Sequence, residues 1–161
     1  MVIFTDSSHQ YNYYDTLNDL DVHHLHIKND FGELNNFYFG ENKNSLYETE
    51  VISLIFNVIR KYKIEIKNVT LIGILNGGTA ALYFGLKYGF ENVISGTPLI
   101  RIGSFVIEEG LNFNLAENFS GGTGIGDKIY LDKIFKNLDV FSDDYENIRV
   151  LTGIEDLYHQ N

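Results

Sequence analysis

The chain has no cysteine, no tryptophan, one proline and one methionine among its 161 residues. Without cysteine, disulfides, thiolate metal sites and a cysteine nucleophile are all excluded. No apolar run reaches the roughly 18–20 residues that a membrane span needs, and the first residues lack the basic, apolar layout of a signal segment. A cytoplasmic protein without a transmembrane segment is the expectation. Positive charge is scarce too: 12 Lys and Arg against 22 Asp and Glu leave a formal net charge of −10. That balance argues against nucleic acid as a partner, because phosphates require a basic surface. An acidic surface of this kind serves solubility and names no partner by itself.

What is present is a globular pattern. Apolar residues make up 44% of the chain, enough for a buried core in one domain spanning residues 1–161. Apolar runs bounded by turn formers mark strands around Val2–Thr5, Leu25–Lys28, Val69–Ile74, Val93–Ser95 and Arg149–Thr152. Between them, "SLYETEVISLIFNVIRKYKI" spaces Leu46, Val51, Leu54, Ile55, Val58 and Ile59 as a helix, with Ser45 and Glu48 as a capping box. A helix follows Gly77, and another is written in "DKIYLDKIFKNLDVF". Strands alternating with helices, and apolar along their whole length, predict a three-layer α/β/α fold with a mainly parallel sheet. The chain stops soon after its last strand, short of the further covering helix this class leads one to expect.

The most informative stretch is "TLIGILNGGTAALYFGLKYG", Thr70 to Gly89. It reads as a buried strand, a glycine-rich bend and a helix, the layout of the G-x-S-x-G elbow that presents a nucleophile. Gly73 and Gly77 occupy the glycine positions, and Leu75 occupies the place of the serine. The N–H of Asn76, the residue after the tip, is placed to stabilise a developing oxyanion with the helix N-terminus behind it. A second oxyanion N–H would come from the loop after the first strand, "FTDSS", at Ser7; Ser and Asp there are also ordinary turn formers. Thr79 carries a hydroxyl but lies a helical turn past the tip, where it reads as packing.

Other motifs carry less. "HHLH" puts His24 and His26 on one strand face and His23 on the other. Two histidines would need further ligands, such as Asp21 or Asp30, so structural histidines are the simpler reading and no metal is expected. "GGTGIGDK" fails as a phosphate loop because Asp127 follows Gly126 where lysine is required, and no strand leads into it. No cofactor is expected; Asp127 reads as the cap of the next helix. The long segment "EEGLNFNLAENFSGGTGIG" is polar and glycine-rich enough to serve as a lid.

The run "GGTAALYFGLKYGFENVISGTPLIRIGSF" closely resembles the XcbB/CpsF family of capsular polysaccharide biosynthesis proteins. So do "VIFTDSS", "HIKNDFGELNNFYFG" and "LTGIEDLYH", in order along nearly the whole chain. The resemblance implies an α/β-hydrolase-like fold, related to an accessory secretion protein that acetylates glycans, and serine acyltransferase or esterase chemistry. Family members resemble G-S-S-K-G-G at the elbow; this chain keeps the glycines and has Leu75 at the centre. They also resemble D-x-H-Y near the C-terminal end; here Asp156 matches, Tyr158 stands where the histidine would be, and His159 is one place late. Two readings follow. In one, Asp156 and His159 act as acid and base with the Asn76 and Ser7 N–H groups as oxyanion donors, on an acylated glycan or acyl donor. In the other, the chain is a non-catalytic binding or scaffold subunit with a protein partner in a capsule or secretion assembly.

Overall fold

The computed structural model describes residues 1–5, 17, 19–29, 37–110, 113–138 and 147–153. Five strands form one sheet: β1 (Val2–Phe4), β2 (Leu25–Ile27), β3 (Thr70–Ile74), β4 (Asn92–Gly96) and β5 (Asn147–Leu151). Their order is β2-β1-β3-β4-β5 and every pairing is parallel. Helices α1 (Leu46–Tyr62), α2 (Asn76–Tyr88), α3 (Phe113–Ser120) and α4 (Ile125–Asp132) flank it. This is the α/β, hydrolase-like class that the alternation and the elbow predict. Among the described residues no helix is long and apolar enough to cross a membrane.

The strand order fixes where the helices go. From β2 the chain crosses β1 to β3 and then moves steadily to β4 and β5. Right-handed crossovers in one direction place their helices on one face. Accordingly Val51 and Ile55 of α1, Ala81 and Phe84 of α2, Phe119 of α3 and Leu131 of α4 share one core with Val2, Phe4, Leu71 and Val93. The opposite face carries Ile3, Ile72 and Ile94 in register; Ile3 is buried, Ile72 and Ile94 are half-buried.

Two local expectations fail for tertiary reasons. Ser45 starts α1 without a side-chain cap. The Asn44 carboxamide instead accepts from the Leu46 N–H at 2.9 Å, and the Glu48 N–H donates to the Phe39 carbonyl at 3.1 Å. The Glu48 carboxylate turns inward, where it accepts from Tyr83 at 3.1 Å and from Tyr88, and pairs with Lys87 at 2.6 Å. Burial, reinforced by that carboxylate, pushes both phenols up, so they stay neutral donors. The network ties α1 to α2 in the core, which a capping box could not do.

The segment read as a lid contains α3 instead. Leu115, Ala116 and Phe119 are buried, and the Phe119 ring stacks on Phe39 at 5.6 Å and Phe37 at 6.3 Å. Its polar residues masked a short amphipathic helix. Asp127 does cap α4, accepting from the Gly124 N–H at 3.2 Å, and it also pairs with Lys43 at 2.9 Å.

Candidate active site

The order of the strands reverses between β1 and β3, and in open parallel sheets such a switch point opens the crevice where ligands bind at the carboxyl ends. The bend from β3 into α2 stands there. Leu75, at its tip, has φ 55° and ψ −121°. These are the angles of the glycine-dominated first position of a type II′ turn, and a bulky residue there stores about 1–3 kcal/mol of strain. The tip is held from both sides: the Leu75 N–H donates to the Gly96 carbonyl at 2.9 Å, and its carbonyl accepts from the Thr79 N–H at 2.8 Å. The Leu75 side chain is 51% exposed. The predicted elbow is therefore formed, with a leucine presented where a nucleophile would stand.

Close backbone approach explains the glycines that frame it. A Cβ at Gly77 would sit 2.3 Å from the Phe4 carbonyl oxygen, and one at Gly73 would sit 2.2 Å from the Gly77 carbonyl carbon. Only hydrogen fits at either position, so α2 can start directly against the end of β1. Asn76 opens that helix, and its N–H lies in the first turn, where helix geometry leaves amides without an intrahelical acceptor.

Thr79 is fully buried. Its hydroxyl donates to the Leu75 carbonyl at 3.1 Å and accepts from the Leu99 N–H at 2.8 Å. Both of its hydrogen-bonding roles are used in fastening the elbow to the chain after β4, as the packing reading predicts. Ser7, Asp156, His159, Tyr158 and Asp30 lie outside the described residues.

Sequence reasoning missed Thr97. It follows β4 with φ 44°, an outlier for a β-branched residue, and its N–H donates to the Leu151 carbonyl at 2.6 Å. Its hydroxyl is buried with no hydrogen-bond partner among the described residues. With Ile74, Gly96, Leu151 and Thr152 it lines an apolar hollow of about 400 Å³ beside the elbow. The Thr-Pro dipeptide was the available signal, since a residue before proline is conformationally restricted, but it does not announce a positive φ.

His23, His24 and His26 do not converge on a common centre. The rings of His24 and His26 lie 6.0 Å apart, edge to face, while His23 stacks on Tyr62 at 5.3 Å. Burial, and then the nearby His24, holds the His26 imidazole below its ordinary pKa. Among the described residues no three His, Asp or Glu side chains are grouped to hold a metal ion.

No protein-family model and no curated protein sequence matches the chain. Two solved structures share its fold. The capsule O-acetyltransferase of Neisseria meningitidis serogroup A superposes with a TM-score of 0.69 at 20% identity, over 98% of this chain and 68% of its own. The glycosylation-associated protein (Gap123) complex from Streptococcus agalactiae superposes with a TM-score of 0.76 at 17% identity, over 94% of this chain. The chain spans only 30% of the length of that matched neighbour.

Proposed function

We propose that this chain is a hydrolase-like domain of bacterial surface-polysaccharide biology, similar to the XcbB/CpsF group, that serves as a binding or scaffold subunit and forms no ester at its elbow. The observation that carries the reading is Leu75 at the strained tip. An alkyl side chain has no lone pair with which to attack a carbonyl, and the Thr79 hydroxyl one helical turn on is committed on both sides. The two structural neighbours, a capsule O-acetyltransferase and a glycosylation-associated complex, support the theme. An acylated glycan or a protein of the same assembly is the partner this reading expects.

A second reading is favoured by one observation: the elbow keeps its strain and its glycines although the serine is gone. On that reading the Asn76 and Ser7 N–H groups still receive an oxyanion, with Asp156 and His159 as acid and base for acyl transfer.

A fluorophosphonate probe for serine hydrolases separates the cases. Loss of a triad nucleophile costs about a millionfold in turnover, so the wild-type chain is expected to remain unlabelled. Strong labelling of the wild type would overturn the binding-subunit reading. Labelling confined to Leu75→Ser would show that acid and base are in place and that only the serine is missing.

A further inference from the structure

A second hollow formed by described residues lies far from the elbow. It lies at the amino ends of β1, β2 and β3, between the sheet and the last turns of α1, and encloses about 560 Å³. That volume falls within the 300–1,000 Å³ of small-molecule sites. Leu25, Val58, Ile59 and Ile64 give it a partly accessible aliphatic wall, backed by the buried Val2, Ile55 and Val69, while His24, Tyr62 and Asn68 line it as well. The mouth is polar. His23 stacks on Tyr62 at 5.3 Å, and the Lys61 ammonium lies 5.2 Å from the centre of the Tyr62 ring. Asp21 is the acid among the described lining residues.

Charge at this end departs from the rest of the chain. Net charge is −10, yet four of the 12 basic residues, Arg60, Lys61, Lys63 and Lys67, fall within eight positions here. Lys67 pairs with Glu65 at 2.8 Å, while Lys61 lies in the wall itself, as does the Met1 ammonium, which donates to the His23 carbonyl at 2.6 Å. A helix C-terminus attracts basic residues on its own account, but that preference does not require an aliphatic chamber beside them. A largely apolar hollow whose mouth carries a lysine and a stacked aromatic pair fits an aliphatic chain ending in an anionic head.

We propose that this cavity binds a small anionic amphiphile, its chain among Leu25, Val58, Ile59 and Ile64 and its head at Lys61 and His23. The site is independent of acyl chemistry at the elbow, because it lies at the opposite end of the strands. Chain burial dominates the affinity, and each methylene added to the guest should tighten binding by about three- to fourfold until the chamber is full. The lysine fixes the direction of entry and selects for negative charge.

Hexanoate, octanoate and decanoate serve as probes, with binding followed by calorimetry and by the shifts of the His23 and Tyr62 ring resonances. Saturable binding that tightens along the series, falls at least tenfold in Val58→Trp, and falls severalfold in Lys61→Glu is expected. Both positions are at least partly exposed on α1, and unchanged thermal melts will confirm that the variants fold. Decanol binding as tightly as decanoate, with Lys61→Glu neutral, would overturn the anionic head. Vesicles containing phosphatidylglycerol distinguish a lipid surface from a free amphiphile. Vesicle adsorption that Val58→Trp leaves intact, with no decanoate binding, would overturn the cavity itself.

Discussion

Leu71 and Ile72 are neighbours in β3 and differ little in size or polarity, yet they face two different environments. Leu71 lies wholly inside the core under α2, while Ile72 on the other face is only half-buried. The difference persists along the sheet. Val93 on the covered face is fully buried, whereas Ile74 and Leu151 on the other are 38% and 59% exposed. Parallel sheets are ordinarily buried on both faces, and their strands are accordingly apolar throughout. Apolar character on a strand therefore records that both faces were built for burial, but not which elements cover each. That second fact comes from strand order and crossover handedness.

The comparison is broken most severely at Gly77, where the covering helix touches the sheet. Valine there would drive its side chain into the Phe4 and Thr5 carbonyls, which a Cβ alone would meet at 2.3 and 2.9 Å. Backbone on both sides cannot yield as a flexible side chain can. Loss of any cooperative thermal transition in Gly77→Val is expected; a normal melt would show that α2 does not start against β1.

Next in size is the pair Leu71→Ala and Ile72→Ala. Removing a fully buried leucine leaves a cavity and costs about 3 kcal/mol. Removing the half-buried isoleucine gives up less transfer energy and opens no sealed void, so about 1 kcal/mol is expected. Urea denaturation of the two variants measures the difference directly. Equal costs would mean that the face of Ile72 is covered in solution as thoroughly as that of Leu71, and the contrast between faces would vanish.

What the sequence made legible follows the same division between local and distant causes. All five strands and the elbow follow from local signals: apolar runs, turn formers, and glycines at the spacing a tight bend needs. Glu48 was misread because S-x-x-E is a complete local explanation of a helix start. Its actual partners, Tyr83, Tyr88 and Lys87, are 35 to 40 positions away, and no local pattern couples them. Helix α3 was hidden because its three buried apolar residues, Leu115, Ala116 and Phe119, sit among polar neighbours. At the candidate site the tip and the role of Thr79 were readable. The strain at Thr97 was not, since it depends on β5 arriving alongside β4. Ser7, Asp156 and His159 remain expectations, lying outside the described residues.

The smallest expected effect concerns the tip, where the covered face gives way to the exposed crevice. At an ordinary exposed position with negative φ, alanine is more stable than glycine by about 0.4–1 kcal/mol, because glycine gives the unfolded chain more freedom. At Leu75 the order should invert. Leu75→Ala and Leu75→Gly both lose the half-exposed side chain, so that term cancels between them. Alanine keeps the Cβ that makes φ 55°, ψ −121° unfavourable, while glycine removes it and relieves strain of about 1–3 kcal/mol. After subtracting glycine's entropic disadvantage, Leu75→Gly should be the more stable by about 1 kcal/mol. For a chain of this size that is a difference of about 2–4 °C in Tm, within reach of calorimetry on the two variants side by side. Alanine melting above glycine would mean that the tip relaxes in solution, and that the elbow stores no strain.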